Sequence, residues 1–161
     1  MKKPISIILI FLLVSAIWAG SLKENVLPES QQNEITKQIL KIHEEIKQTA
    51  ENFDADALFE YVLDANDVII ENGLLRQTRK EALEITRQGL QGISELSYNY
   101  THKNINIISA DTVLWTGKGT TLVTLSDGRK LSNEFAETIL YTLNDGQWKI
   151  MHAHRSSPNS N

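Results

Sequence analysis

The spacing of apolar residues divides this chain into a helical first half and a β-rich second half. From Gln31 onward, apolar residues recur every three or four positions, as on one side of an amphipathic helix. The stripe consists of Ile35, Ile39, Ile42, Ile46 and Ala50. This pattern predicts a helix over 31–52, preceded by a flexible leader over 20–30 that contains Pro28 and has no periodicity.

Two shorter helices are predicted from the residues at their N termini. Asp54 belongs to the residue types that cap helices, and the apolar positions after it predict a short helix. Thr78 is followed three residues later by Glu81, which is the spacing of a capping box. The helix that begins after Thr78 is expected to end at Gly89 and Gly92, because glycine disfavours helix continuation.

The period changes to two beyond Gly92, which is typical of half-buried strands. A brief β-branched run ends at the turn signal Asn72-Gly73. The predicted strands are 68–70, 96–107, 112–125, 135–143 and 148–154. Asp127-Gly128 and Asp145-Gly146 mark hairpin turns. Helices first and a meander second predict an α+β domain over 31–158, with helices packed on one face of an antiparallel sheet.

Composition and charge narrow the classes of function. The 161 residues fit one domain, with 41% hydrophobic and 22% charged residues. The net charge of −4 argues against nucleic acid as a partner, since a nucleic-acid binder needs a basic surface. The chain has no cysteine, which excludes disulfides, thiolate zinc sites and cysteine nucleophiles.

The first residues have the layout of a secretory signal peptide. Lys2 and Lys3 precede an apolar stretch over 5–17, and small residues follow. The stretch is shorter than the roughly 20 residues of a membrane-spanning helix. We therefore predict a signal peptide over 1–19, cleaved after Ala19 or Ser21, and a periplasmic or secreted protein without a membrane span after cleavage.

The end of the chain carries a specific order of motifs. Ala136-Glu137-Thr138 on one strand is followed by Asp145-Gly146-Gln147-Trp148, and then by His152-x-His154-x-Ser156. This order resembles the terminal hairpin of the nuclear transport factor 2-like superfamily. It is most similar to the SnoaL-like group, which includes the association domain of calcium/calmodulin-dependent protein kinase II. The resemblance covers 31–158.

The resemblance implies a conical fold, in which a strongly curved antiparallel sheet wraps around the N-terminal helices and a pocket lies inside the cone. It also implies a homodimer through the outer sheet face. Functions in the superfamily range from isomerases and dehydratases to binding and assembly modules, so the fold alone does not identify one.

Strict alternation along the last strand places Trp148, Ile150, His152 and His154 on one face. The apolar pair indicates that this face points inward. His152 would then lie near Glu137, and either side chain is a candidate general acid–base. The ligand-binding walls are predicted to come from Tyr61, Tyr98, Tyr100, Trp115, Tyr141 and His154.

The same residues also have purely structural interpretations. The two strand histidines fit a hydrogen-bonded core pair, and Glu137 fits an ion pair with a Lys or Arg of a neighbouring strand. Arg155 fits the rim of the pocket, an interface or a ligand clamp. His43 and His102 have polar neighbours in sequence and are expected to be solvent exposed. No metal-ligand spacing or cofactor motif is recognisable, so no metal or cofactor is predicted.

At two positions this sequence differs from members of the superfamily that it resembles. Ketosteroid isomerase-like relatives place a catalytic Asp where this sequence has Ile70, and the kinase association domain has an Arg where this sequence has Ile139. The leading prediction is therefore an exported domain that binds a small, partly apolar molecule inside the cone. An isomerase or dehydratase using His152 or Glu137, and a homo-oligomeric assembly module without a ligand, remain as alternatives.

Overall fold

A computed structural model of the chain describes residues 27–64, 66–71 and 74–158. The predicted signal peptide, most of the predicted leader and the predicted turn at Asn72-Gly73 lie outside these ranges. Within these ranges, no helix is both long enough and apolar enough to cross a membrane.

The described helices all precede the four long strands, and two short strands lie between the second helix and the third. The helices are α1 (Glu29–Glu51), α2 (Ala55–Glu60) and α3 (Arg79–Leu90). The strands are β1 (Asn66–Glu71), β2 (Leu74–Thr78), β3 (Ile93–Ser109), β4 (Thr112–Leu125), β5 (Lys130–Asn144) and β6 (Gln147–Ser156). Each predicted helix and strand is present, and β2 is an additional strand that the apolar pattern did not indicate.

The predicted helix caps are confirmed by their hydrogen bonds. The Asp54 side chain accepts a hydrogen bond from the Ala57 N–H at 2.9 Å, and Thr78 accepts one from the Glu81 N–H at 3.1 Å. Helix α3 includes Gly89 and ends before Gly92, which has a φ of 81°. Only the second of the two predicted stop residues therefore ends the helix.

The six strands form one curved, unclosed sheet in the order β2-β1-β6-β5-β4-β3. Strands β3 to β6 form an antiparallel meander, whereas β1 pairs with β6 in parallel. The helices lie against one face of this sheet, which we call the inner face. The predicted α+β fold class is confirmed.

The hydrophobic core lies between α1 and the inner face. Ile35, Ile39 and Ile46 of α1 are buried there, as the apolar stripe predicts. The buried core residues of the strands are Val113, Trp115, Ile139, Tyr141, Trp148 and Ile150. The core therefore surrounds the middle of the meander, where the candidate site lies.

A β-bulge interrupts the pairing of β5 with β6. Tyr141 lies opposite Ile150, but the neighbouring Leu140 lies opposite His152. Met151 is therefore the extra residue on β6, and it is exposed. Successive strand residues point to opposite faces. Compared with strict alternation along β6, the bulge therefore exchanges the faces of every residue after Met151.

The bulge changes which side chains of β6 point inward. Glu137 lies opposite Arg155, and their side chains are joined on the inner face by an ion pair. His152 and His154 have the opposite parity to Arg155 and belong to the outer face, where His154 is exposed. The prediction that both histidines share the inward face of Trp148 is wrong, because it assumed an uninterrupted alternation.

Gly119 allows strands β3 and β4 to approach closely. A Cβ atom at this position would lie 2.2 Å from the carbonyl oxygen of Asn99 on the adjacent strand, whereas a Cβ at Gly89 in α3 would meet nothing within 4 Å. We expect Gly119→Ala to lower the free energy of unfolding by about 3 kcal/mol through this clash. The control Gly89→Ala should raise it by about 0.5–1 kcal/mol. Urea unfolding measures both changes. A Gly119→Ala variant as stable as the wild type would contradict this close approach.

Candidate functional site

A buried carboxylate on β5 is the centre of the candidate site. Alternation along β5 directs Glu137 to the inner face, where only 6% of the residue is exposed. Tyr100 donates a hydrogen bond to Glu137 Oε1 at 2.6 Å, and Arg155 Nη2 donates one to Oε2 at 2.7 Å. Trp115 Nε1 donates a longer one to Oε1 at 3.3 Å. These donors offset the desolvation of the carboxylate.

The ionised form of Glu137 is favoured in this environment. Burial alone would raise the pKa of Glu137, yet the charge of Arg155 and hydrogen bonds from Tyr100 and Arg155 hold it below its ordinary value. Glu137 is therefore a carboxylate at neutral pH. Since a carboxylate with a lowered pKa binds protons weakly, the arrangement favours an electrostatic role over proton abstraction.

Arg155 is held against two aromatic rings. Its guanidinium carbon lies 4.9 Å from the ring centre of Tyr98 and 4.8 Å from that of Phe135. Arg155 Nη1 also donates a hydrogen bond to Tyr98 Oη at 3.3 Å. The side chain retains 29% exposure, so Arg155 extends from the buried carboxylate to solvent. The structural interpretation of Glu137, an ion pair with a neighbouring strand, is thus present.

A histidine of α1 completes the cluster. The His43 ring stacks on Trp115 with centroids 3.7 Å apart, and its Nδ1 lies 3.0 Å from Tyr141 Oη. Its Nε2 lies 3.8 Å from Glu137 Oε1. Burial lowers the pKa of His43 to about 4, against the opposing effect of the Glu137 charge. His43 is therefore a neutral imidazole at neutral pH.

The expectation that His43 is solvent exposed is wrong, since only 3% of the residue is exposed. Its neighbours in sequence are polar, but it lies four residues after Ile39 and three before Ile46, on the apolar stripe of the helix. Helical spacing was thus the signal that would have identified it. The corresponding expectation for His102 is confirmed, because that residue is exposed.

A cavity of about 130 Å³ lies between α1 and the inner face, beside Glu137. Helices α1 and α2 provide part of its wall and strands β3, β5 and β6 provide the rest. Its lining residues are His43, Ile46, Lys47, Ala50, Leu58, Tyr98, Tyr100, Glu137, Ile139 and Arg155. A larger groove of about 440 Å³ lies at the ends of β3, β4 and β5, and none of the predicted site residues lines it.

The structure brings some of the predicted site residues together and separates others. Glu137, Tyr98 and Tyr100 line the cavity, and Trp115 and Tyr141 contact His43 behind it. Tyr61 lies apart, at the end of α2, where its carbonyl oxygen accepts a hydrogen bond from the Ile150 N–H.

His152 and His154 lie on the outer face, away from the cavity. Their functional roles stay predictions, and neither side chain points to the face that holds Glu137. His43 and Arg155 take their places beside Glu137. Across residues 27–64, 66–71 and 74–158, no three His, Asp or Glu side chains form a group that would hold a metal ion.

Comparisons with known proteins agree with this architecture. A family model described as a SnoaL-like domain matches residues 39–160. A search of curated proteins finds no significant match.

Several solved structures share the fold at low sequence identity. A candidate calcium/calmodulin-dependent protein kinase II association domain from Xanthomonas campestris has a TM-score of 0.68 at 14% identity, covering 76% of this chain and 87% of its own. A candidate scytalone dehydratase from Novosphingobium aromaticivorans has a TM-score of 0.75 at 10% identity, with coverages of 82% and 89%. A hexachlorocyclohexane dehydrochlorinase from Novosphingobium barchaimii has a TM-score of 0.69 at 15% identity, with coverages of 82% and 92%.

Proposed function

Because the chain belongs to the SnoaL-like domain family, we propose that it binds a small, partly apolar molecule in the cavity beside Glu137. Members of this family are often ligand-binding proteins or enzymes of the isomerase and dehydratase type. The proposal is therefore consistent with the family, and it depends on the chemistry of this particular cavity.

The observation that carries the proposal is the mixed lining of the cavity. Ile46, Ala50, Leu58 and Ile139 contribute apolar side chains, and His43, Glu137 and Arg155 contribute polar ones. Apolar walls with a few convergent polar groups are typical of small-molecule sites. A cavity of about 150 Å³ is known to hold benzene. The present cavity thus suits a ligand with a five- or six-membered ring.

The test is to fill the cavity with a larger side chain. Ala50 lines the cavity from α1, whereas Gln48 on the same helix is exposed. We expect Ala50→Leu to weaken binding of small ring compounds by at least about tenfold, equivalent to about 1.4 kcal/mol. Gln48→Leu should leave the affinity unchanged. NMR titration, following the methyl signals of Ile46 and Ile139, measures the affinities. Equal affinities of Ala50→Leu and the wild type, or the absence of any binding, would contradict the proposal.

An enzyme of the isomerase or dehydratase type is the second candidate. It is favoured by two titratable side chains, His43 and Glu137, that line the same cavity. Loss of turnover in Glu137→Gln with normal turnover in His152→Ala would support chemistry at the inner face. Normal turnover in Glu137→Gln would exclude Glu137 as the general acid–base.

Export and dimer formation complete the proposal. The layout of the first residues supports export, and mass spectrometry of the exported protein should show a new N terminus after Ala19 or Ser21. The homodimer is proposed to form through the outer sheet face, which contains Leu140 and His152. A monomer at micromolar concentration in light scattering would contradict the dimer.

A further inference from the structure

We propose that the ligand of this cavity is uncharged and has a carbonyl or hydroxyl oxygen that accepts a hydrogen bond from His43 Nε2. This inference rests on the proposed function, namely that the cavity beside Glu137 binds a small molecule. It assigns to His43 the polar contact that orients the ligand.

The first step is the unsatisfied nitrogen of His43. Within the part of the chain that the structure describes, Nε2 has no hydrogen-bond partner, although the residue is only 3% exposed. Glu137 Oε1 lies 3.8 Å from Nε2, which is beyond hydrogen-bonding distance. Buried polar groups almost always have partners, and His43 lines the cavity. A ligand in the cavity is therefore the natural partner of Nε2.

The second step is the position of the proton on the imidazole. Tyr141 is fully buried, and among the described residues His43 Nδ1 is the hydrogen-bond partner of its hydroxyl. When Tyr141 donates to Nδ1, the hydroxyl proton has an acceptor, and the neutral ring carries its own proton on Nε2. Tyr141 is thus a positioning residue that makes Nε2 a hydrogen-bond donor towards the cavity.

The third step is the charge of the ligand. Glu137 Oε1 already accepts from Tyr100 and Trp115, and Oε2 accepts from Arg155. The charges of Glu137 and Arg155 neutralise each other in this arrangement. An anionic ligand would compete with Glu137 for Arg155, and a cationic one would compete with Arg155 for Glu137. An uncharged ligand leaves the pair intact.

The fourth step concerns the lysine at the cavity. Lys47 lines it, but its ammonium group lies 3.0 Å from Glu44 and 3.7 Å from Glu51. Lys47 is therefore already paired with two carboxylates of its own helix. These pairs therefore leave no unpaired lysine or arginine among the described residues at the cavity to attract an anionic ligand.

Three compounds built on a five-membered ring provide the probes. Cyclopentanone has the proposed uncharged acceptor oxygen, cyclopentane has no acceptor, and cyclopentanecarboxylate has acceptor oxygens that carry a negative charge. We expect the wild type to bind cyclopentanone at least about tenfold more tightly than either of the others, a ratio equivalent to about 1.4 kcal/mol. NMR titration measures the affinities, and the Nε2 resonance of His43 should shift with cyclopentanone.

Two variants and one control test the residues. His43→Phe keeps an aromatic ring against Trp115 but removes the donor, so the preference for cyclopentanone over cyclopentane should disappear. Tyr141→Phe should reduce the preference and produce a mixture of His43 tautomers in long-range ¹H–¹⁵N spectra. Exposed His102 supplies the control, and His102→Phe should bind all three probes like the wild type.

The outcomes separate this inference from the proposed function. If cyclopentanone and cyclopentane both bind in the cavity with equal affinity, or if His43→Phe keeps the preference, the His43 assignment is overturned and the binding function stands. If the carboxylate binds more tightly, the uncharged ligand class is overturned. If no probe shifts the resonances of cavity residues, the binding function fails and the inference fails with it.

Discussion

Replacing Arg155 with Met is expected to lower the free energy of unfolding by about 3 to 5 kcal/mol, because it leaves a buried carboxylate without its cation. Glu137 has a side chain that is 3% exposed and lies 2.7 Å from the guanidinium. Methionine keeps apolar bulk near Tyr98 and Phe135, so the loss reports mainly the missing charge. Urea unfolding at pH 7 measures the change.

The reciprocal variant is the matched control. Glu137→Gln should cost only about 1–2 kcal/mol, because it removes a charge-assisted hydrogen bond while Arg155 retains access to water. The double variant Glu137→Gln/Arg155→Met should be more stable than Arg155→Met alone, since it has no buried unpaired charge. A double variant that is less stable than Arg155→Met would show that the ion pair does not account for the effect.

The wild type is expected to lose about 3 kcal/mol of stability through His43 as the pH falls from 6.5 to about 4. The pKa of His43 is lowered from 6.5 to about 4 by burial, so the unfolded chain takes up the proton first. The charges of Glu137, Lys103, Arg155 and Glu44 modify this shift, and Glu137 opposes it most. Stability is therefore complete above pH 6.5 and decreases below it.

Denaturation at pH 7, 6, 5 and 4.5 measures this dependence in the wild type and in His43→Phe. The variant should lose much less stability over this range, because Phe does not titrate. Glu137 contributes in the same direction at lower pH, since its pKa lies below the ordinary 4.5 and its contribution is lost as the carboxylate is protonated. His102→Phe should keep the wild-type slope. An unchanged slope in His43→Phe would contradict the burial of this imidazole.

The sequence predicted those parts of the fold that depend on local chemistry. Asp54 and Thr78 cap helices whatever the rest of the chain does, and the Asp-Gly pairs at 127–128 and 145–146 supply the positive φ angles of their turns. Strand β2 and the parallel pairing of β1 with β6 depend on contacts between distant segments. Apolar periodicity carries no information about such pairings.

The sequence identified the residue at the centre of the candidate site, Glu137, but not the side chains that surround it. It indicated either a pocket role or an ion pair with a neighbouring strand. In the structure, Glu137 lines a cavity and also pairs with Arg155. His43 was missed because its sequence neighbours are polar, although its helical neighbours are apolar. His152 was misplaced because a bulge arises from the pairing of two strands and has no signature in β6 alone.

The extra residue Met151 and the bulge around it determine which side chains enter the interior of this protein. With the bulge, an arginine meets Glu137. If the same residues paired without a bulge, strict alternation would direct His152 and His154 inward and Arg155 outward. Deletion of Met151 would also remove the bulge, but it would keep Arg155 opposite Glu137. The charge of the interior therefore depends on how β6 pairs with β5, and a substitution elsewhere that abolishes the bulge would exchange the ion-pairing guanidinium for imidazoles.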